Sequence, residues 1–308
     1  MTVASSPLAK PERFAIPTTP LFSSLLELIR RTSAELPVDV SRVLGAAQST
    51  EADGSSARVA LDVIACNIDL AGRMSAPLCQ DTGSILFYVK TPVGYDQIQF
   101  TETATVAVRE ATRLGYLRQN SVDSLSGKNS GDNTGPGSPN IHFEQWRSNE
   151  VQVVLMLKGG GSENVGIQFS LPDPELGGRD IAGVENAILK AVVRAQGEGC
   201  APGILGVAIG GDRSSGWAYA KKQFFRTLDD TNGNPELAGL EARVMEKANA
   251  LGIGPMGFGG KTTLLGCKVG QLNRVPASFY VTVAYMCWAF RRRGAVLSPT
   301  GEAHRWLY

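Results

Sequence analysis

The sequence predicts an α+β protein, mixed α/β in character, with a helical N-terminal part followed by a mixed sheet that has helices around it. Apolar residues recur at helical spacing early in the chain, first at Leu21, Leu25, Leu28 and Ile29, then at Val59, Leu61, Ile64, Ala65 and Leu70. From Ile141 onward, short strand-like runs alternate with helical ones. Glycines cluster at Gly159-Gly160-Gly161, at Gly210-Gly211 and between Gly252 and Gly260, where backbone can approach a ligand closely.

Residues 1–20 carry Pro7, Pro11, Pro17 and Pro20 among Lys10, Glu12 and Arg13. They read as a loose arm with neither a signal peptide nor a membrane span. Leu21 to Met74 reads as all helix, and Pro77-Leu78-Cys79-Gln80-Asp81-Thr82-Gly83 as a turn leading into a strand at Ile85–Val89. Thr101–Leu114 reads as a helix. Arg118 to Pro139 is polar and long enough to suggest function rather than simple connection. Strands are expected at Ile141–Trp146, Val151–Leu157, Gly203–Ile209, Thr263–Val269 and Ser278–Tyr285, with helices at Ile181–Ala195, Ser214–Phe225 and Pro235–Leu251. No repeat or linker divides residues 21–308, which read as one domain.

The 308 residues, 43% of them hydrophobic, can supply a substantial core. Thirty basic against twenty-nine acidic residues leave a formal charge of +1, and the longest basic run is Arg291-Arg292-Arg293. An extended nucleic-acid footprint is therefore not expected. Five dispersed cysteines do not resemble the disulfide framework of a secreted protein, so a cytoplasmic location is expected.

Cys66 and Cys267 lie in apolar surroundings and read as packing residues. Cys79, Cys200 and Cys287 each stand at the end of an element. Three such thiols could converge on one iron–sulfur cluster, and three ligands on a [4Fe–4S] cube leave one iron open as a Lewis acid. Zinc is the competing metal. It is less attractive because His142 and His304 lack ligand-like spacing and no close cysteine pair exists.

Several stretches then fall in one order: Cys79-Gln80-Asp81-Thr82-Gly83, Asn129-Ser130-Gly131-Asp132-Asn133-Thr134, Lys158-Gly159-Gly160-Gly161-Ser162, Cys200-Ala201-Pro202 and Gly259-Gly260-Lys261. Together they resemble the iron–sulfur hydro-lyases comprising class I fumarases and L(+)-tartrate dehydratases. The ending Cys287-Trp288-Ala289-Phe290-Arg291-Arg292 is similar to the tartrate branch. The resemblance implies a fold built around a [4Fe–4S] cluster held by Cys79, Cys200 and Cys287, with Cys66 and Cys267 matching no ligand position. It implies substrate contacts at Gln80, Asp81, Arg118 and Gly161, which suit a small dicarboxylate. Asp81 is the catalytic candidate on this chain, as an acid–base or hydrogen-bonding group, and the principal base is not assigned to it.

In the fused enzymes the remaining substrate contacts belong to a C-terminal part. The resemblance therefore implies an alpha-type subunit that reversibly removes water from a hydroxy-dicarboxylate with a smaller beta subunit, assembled as α2β2. Fumarases and some tartrate enzymes carry a histidine where this chain has Val275, so that histidine's role does not carry over.

Two other readings compete with this one. Gly254-Pro255-Met256-Gly257-Phe258-Gly259-Gly260-Lys261-Thr262-Thr263 looks like a nucleotide-binding P-loop, but its spacing is one residue too long and it follows a helix. A non-catalytic iron–sulfur sensing or assembly subunit would use the same fold, yet purely structural use would not require Gln80, Asp81, Arg118 and the three glycines.

Overall fold

The computed structural model describes residues 18–308, so the arm expected over residues 1–20 lies, up to residue 17, outside the described residues. The expected all-helical part is three helices: α1 (Pro20–Ala34), α2 (Val38–Thr50) and α3 (Ser56–Met74). The hydroxyl of Thr19 accepts the Phe22 N–H at 3.2 Å, and Pro20 occupies the first turn, where its missing donor costs nothing. Ser55 caps α3 in the same way. Pro37 and the polar stretch Ala52-Asp53-Gly54 separate the helices.

Next come β1 (Ser84–Thr91), α4 (Gln97–Arg113), β2 (Asn140–Gln145), β3 (Val151–Lys158), the single-turn α5 (Gly160–Asn164) and β4 (Ile167–Ser170). They are followed by α6 (Ile181–Ala195), β5 (Gly203–Ile209), α7 (Arg213–Lys222), α8 (Pro235–Ala250), β6 (Leu264–Gln271), β7 (Tyr280–Met286), β8 (Arg291–Leu297) and β9 (Ala303–Leu307). A 3-10 turn at Gln223–Phe225 completes the helix expected to reach Phe225.

The strands form two sheets. One has the order β2-β1-β3-β8-β9 and the other β4-β7-β5-β6, with β1/β2 and β5/β6 parallel and every other pair antiparallel. Three apolar cores form, one between the sheets and one on the far face of each. The first packs α1 and α4 on one face of the five-stranded sheet, through Leu25, Ile29, Phe100, Ala107, Phe87 and Leu155. The central core joins the two sheets and α2, α3 and α7, through Leu44, Leu61, Met156, Phe224, Ala284 and Phe290. The third packs α6 and α8 on the outer face of the four-stranded sheet.

The basic run Arg291-Arg292-Arg293 opens β8 and is buried, although three adjacent charges look like a solvated surface. Arg292 lies between the rings of Phe290 and Tyr308, 4.3 and 4.6 Å from their centroids, and pairs with buried Asp39 at 2.6 Å. Arg293 pairs with Glu35 at 3.2 Å. Cys66 also departs from expectation: it is exposed on α3, because Leu61, Ile64 and Ala71 define that helix's inner face. Cys267 is buried as expected.

Candidate active site at converging loop ends

Three neighbouring strand ends define the site. The start of β1, the end of β3 and the start of β8 lie side by side, since Ile85 pairs with Leu157 and Leu157 with Arg291. From that edge leave the Pro77–Gly83 loop, the Gly159–Ser162 turn and the Cys287–Phe290 turn. The second sheet adds the turn carrying Cys200, just before β5.

Hydrogen bonds tie these loops together. Asp81 Oδ2 accepts the Gly160 N–H at 2.6 Å, and Oδ1 accepts the Gly83 N–H at 2.8 Å and the side-chain amide of Asn120. Gly83 is required here: at φ +73° any Cβ would lie 2.3 Å from the Lys158 carbonyl oxygen. Ser162 Oγ accepts the Cys287 N–H at 3.2 Å. The Trp288 N–H donates to the Cys200 carbonyl at 3.3 Å. Gly161 presses against the Cys200 turn, where an added Cβ would stand 3.4 Å from the Glu198 carbonyl oxygen. Cys79, Cys200 and Cys287 are thus connected through one chain of contacts. Cys200 itself holds φ +56°, a conformation disfavoured for a residue with a side chain.

The thiols sense one another. Burial pushes the Cys200 thiol up, and the neighbouring Cys287, Cys79 and Asp81 push it the same way. Burial also raises the Cys287 thiol, and Arg291 and the Ser162 hydroxyl oppose it. Among the described residues no group of three or more His, Cys, Asp or Glu is arranged around a single ion. Cys79, Cys200 and Cys287 are all free thiols, and thiolates are the usual protein ligands of an iron–sulfur cluster, so the donor set fits such a group. His142 stacks on Tyr88 and His304 faces Glu150 at 3.1 Å, neither joined to the thiols.

The polar loop folds over this edge around Asn133, which is buried at φ +62°. Its side chain accepts the Asn120 N–H at 2.7 Å and donates to the Arg118 carbonyl at 2.8 Å. Thr82 Oγ1 in turn donates to that carbonyl at 2.7 Å and accepts the Arg118 N–H at 3.0 Å. Arg118 is therefore fixed by its backbone, while its exposed guanidinium makes no hydrogen bond or ion pair among the described residues. Gln80 is exposed. Beside Asp81 opens a cleft of about 350 Å³, lined by Asn120, Asn133, Gly160, Glu163 and Lys221 among others.

The profile of the fumarate hydratase (Fumerase) family matches residues 23–296. The chain belongs to this family. It is 54% identical, over 94% of its length, to a protein of Geobacillus stearothermophilus provisionally named a class I fumarate hydratase. It spans 57% of that relative's length. It is 33% identical to a Methanocaldococcus jannaschii protein provisionally named L(+)-tartrate dehydratase subunit alpha, matching 87% of this chain and 94% of that one. It is 29% identical to the Escherichia coli K12 L(+)-tartrate dehydratase subunit alpha, matching 84% of this chain and 85% of that one.

For this fumarate hydratase family member the sequence reading missed several residues at the site. Lys158 is buried and reaches Glu163 at 3.2 Å, and Glu163 also meets Lys221 at 2.7 Å. Burial holds Lys158 down to about 8 despite Glu163. Glu163 is held below the ordinary carboxylate range: its burial works the other way, and Lys158 and Lys221 outweigh it. Lys158 and Ser162 flank the three glycines and were legible as part of that motif; Asn120 and Lys221 carry no local signal.

Two further stretches have clear places in the fold. Val275, 64% exposed, sits in the loop joining β6 to β7, at the opposite end of the four-stranded sheet from Cys200 and Cys287. A seven-residue strand places it roughly 20 Å from them. The P-loop look-alike follows α8, and the nest its amides form is filled by this chain's own Glu51. That buried carboxylate accepts the Lys261 N–H at 2.9 and 3.0 Å and the Thr262 N–H at 2.8 Å, leaving no place for phosphate.

Proposed function

We propose that the chain is the cluster-bearing, alpha-type part of a hydro-lyase that reversibly removes water from a small hydroxy-dicarboxylate, of the fumarate hydratase or L(+)-tartrate dehydratase kind. The observation that carries this reading is the linked set of loops bringing Cys79, Cys200 and Cys287 to one edge beside Asp81 and the free Arg118 guanidinium. The three cysteines would hold a [4Fe–4S] cluster. When bound, such a cube supplies an iron without a protein ligand, a Lewis acid for a substrate hydroxyl.

The chain's own groups bind and orient. Arg118 offers a planar fork to one substrate carboxylate. The Gln80 amide and the Gly161 backbone, which has no side chain in the way, receive other oxygens. Asp81 already accepts three donors, so its catalytic part is to hold the Asn120 amide and the Gly160 turn in place. The base that removes the proton from the adjacent carbon then comes from outside this chain. This agrees with the chain's span of 57% of one relative and with the alpha-subunit names of others.

A smaller beta-type partner completing the site in an α2β2 assembly, and a cytoplasmic location, follow from the same reading. Exposed Val59, Val63, Met256 and Phe258 line an apolar hollow that ends at Trp288, the residue after Cys287, and favour a covering partner. No helix among the described residues is long and apolar enough to cross a membrane.

The test is anaerobic turnover of L-tartrate and malate by the reconstituted chain, with and without the remaining part of the fused enzyme supplied as a second chain. Water loss that needs both chains is expected. A fully loaded protein inactive on both acids with its partner present would favour the sensing reading.

A further inference from the structure

Among the described residues, buried cations have carboxylate partners, with one exception. Lys158 meets Glu163, Lys268 meets Asp230, Arg292 meets Asp39 and Arg293 meets Glu35. Arg291 is 0% exposed, and its Nε and both Nη atoms have no hydrogen-bond partner. An uncompensated buried charge costs several kcal/mol, so a guanidinium kept there needs an anion.

The geometry indicates which anion. Arg291 is the first residue of β8 and shares a row across the sheet with Leu157 and Ile85, at the edge from which the Cys79, Gly159–Gly161 and Cys287 loops leave. It stands four residues after Cys287, whose thiol feels its charge. Ser33 lies on α1, its carbonyl accepts the Leu78 N–H at 2.9 Å, and its buried hydroxyl is also without a partner. A cube in its resting state with three thiolates carries one net negative charge, plus sulfides able to accept N–H donors.

We infer that Arg291 is a positioning residue for the iron–sulfur cluster, a buried counter-cation that supplies N–H donors to it and sets its charge balance from the side away from substrate. This rests on the cluster reading above. Arg118 and Arg291 then divide the work: the exposed guanidinium meets the substrate, and the buried one meets the cluster. Removing the positive charge disfavours the more negative, reduced cluster, so the reduction potential falls. Second-sphere donors of this kind are a known lever on cluster potentials.

The experiment compares anaerobically reconstituted parent, Arg291→Gln and Arg291→Lys proteins, with Arg293→Gln as a same-strand control. Iron and sulfide per chain are measured first, then the midpoint potential by dithionite titration followed by electron paramagnetic resonance. A parent that takes up no cluster ends the functional reading itself. With a loaded parent, Arg291→Gln should make reduction at least tenfold less favourable, 59 mV for one electron. Arg291→Lys should lie nearer the parent, and Arg293→Gln within threefold of it. An Arg291→Gln cluster of full occupancy within threefold of the parent overturns the inference.

Should Arg291→Gln not fold, the decision passes to protein labelled with 15N-guanidinium arginine and carrying Arg118→Lys. A 15N coupling to the reduced cluster is expected, and its absence overturns the inference.

Discussion

Replacing Asp81 with asparagine keeps the shape of the side chain but removes the charge on which three loops converge. The carboxylate accepts N–H groups from Gly83 at 2.8 Å, from Gly160 at 2.6 Å and from the Asn120 side chain. An amide offers one oxygen and one NH2, so at least one of these donors faces another donor. Hydrogen bonds to a charged acceptor contribute about 1.5–3 kcal/mol each, and a donor left unsatisfied costs about 1–3 kcal/mol. Partial rearrangement of the exposed Asn120 amide offsets some of this, leaving about 2–3 kcal/mol. If the cost falls on substrate positioning, kcat/KM drops roughly 30- to 150-fold. The cysteines are untouched, so iron per chain should stay at the parental value. Steady-state kinetics with iron analysis separate these effects, and hydrogen exchange should show faster opening of residues 118–139. Parental kinetics with unchanged loop protection would refute the view that Asp81 organises the site.

Other consequences follow from other buried groups. Asp39→Ala strands Arg292 inside the central core and should cost about 3–5 kcal/mol in denaturant unfolding, whereas Asp39→Ala with Arg292→Met should cost less. Parity between single and double variants would show that the pair is not the source. Glu51→Ala empties the nest made by the Lys261 and Thr262 amides and should lower stability by about 2–3 kcal/mol, which thermal unfolding can check. The parent itself should bind no ATP. Lys158 has a pKa of about 8 in the folded protein against 10.5 for the free side chain. Between these values the unfolded chain holds the proton and the folded one does not, so stability rises with pH there. Relative to Lys158→Met, the parent should gain stability from pH 8 to 10.5 and lose it again on return to pH 8; a flat difference would contradict the assignment.

The helical beginning, the strand-and-helix alternation and the family were legible because periodicity and contiguous motifs are local properties. Residues brought together by topology were less so. Arg291-Arg292-Arg293 counted in the sequence only as the longest basic run, because nothing nearby in sequence reveals the Tyr308 ring beside Arg292, or Asp39 some 250 positions away. Glu51 could not be connected with the glycine-rich stretch near Gly260 for the same reason. Cys66 sits among apolar neighbours, yet helical phase turns it outward, and the apolar residues beside it line an exposed face. At the site, the motif around Asp81 was visible, whereas its partner Asn120 was one polar residue among many in a long loop. Asn133 had a recognisable role only once its left-handed backbone and its contacts with residues 118 to 121 were seen.

The central claim is that Cys79, Cys200 and Cys287 hold one cluster, and iron and sulfide analysis after anaerobic reconstitution tests it most directly. About four irons and four sulfides per chain are predicted for the parent and for Cys66→Ser and Cys267→Ser, with loss or conversion of the cluster in Cys79→Ser, Cys200→Ser and Cys287→Ser. A full, unaltered cluster in any of the last three would contradict the account.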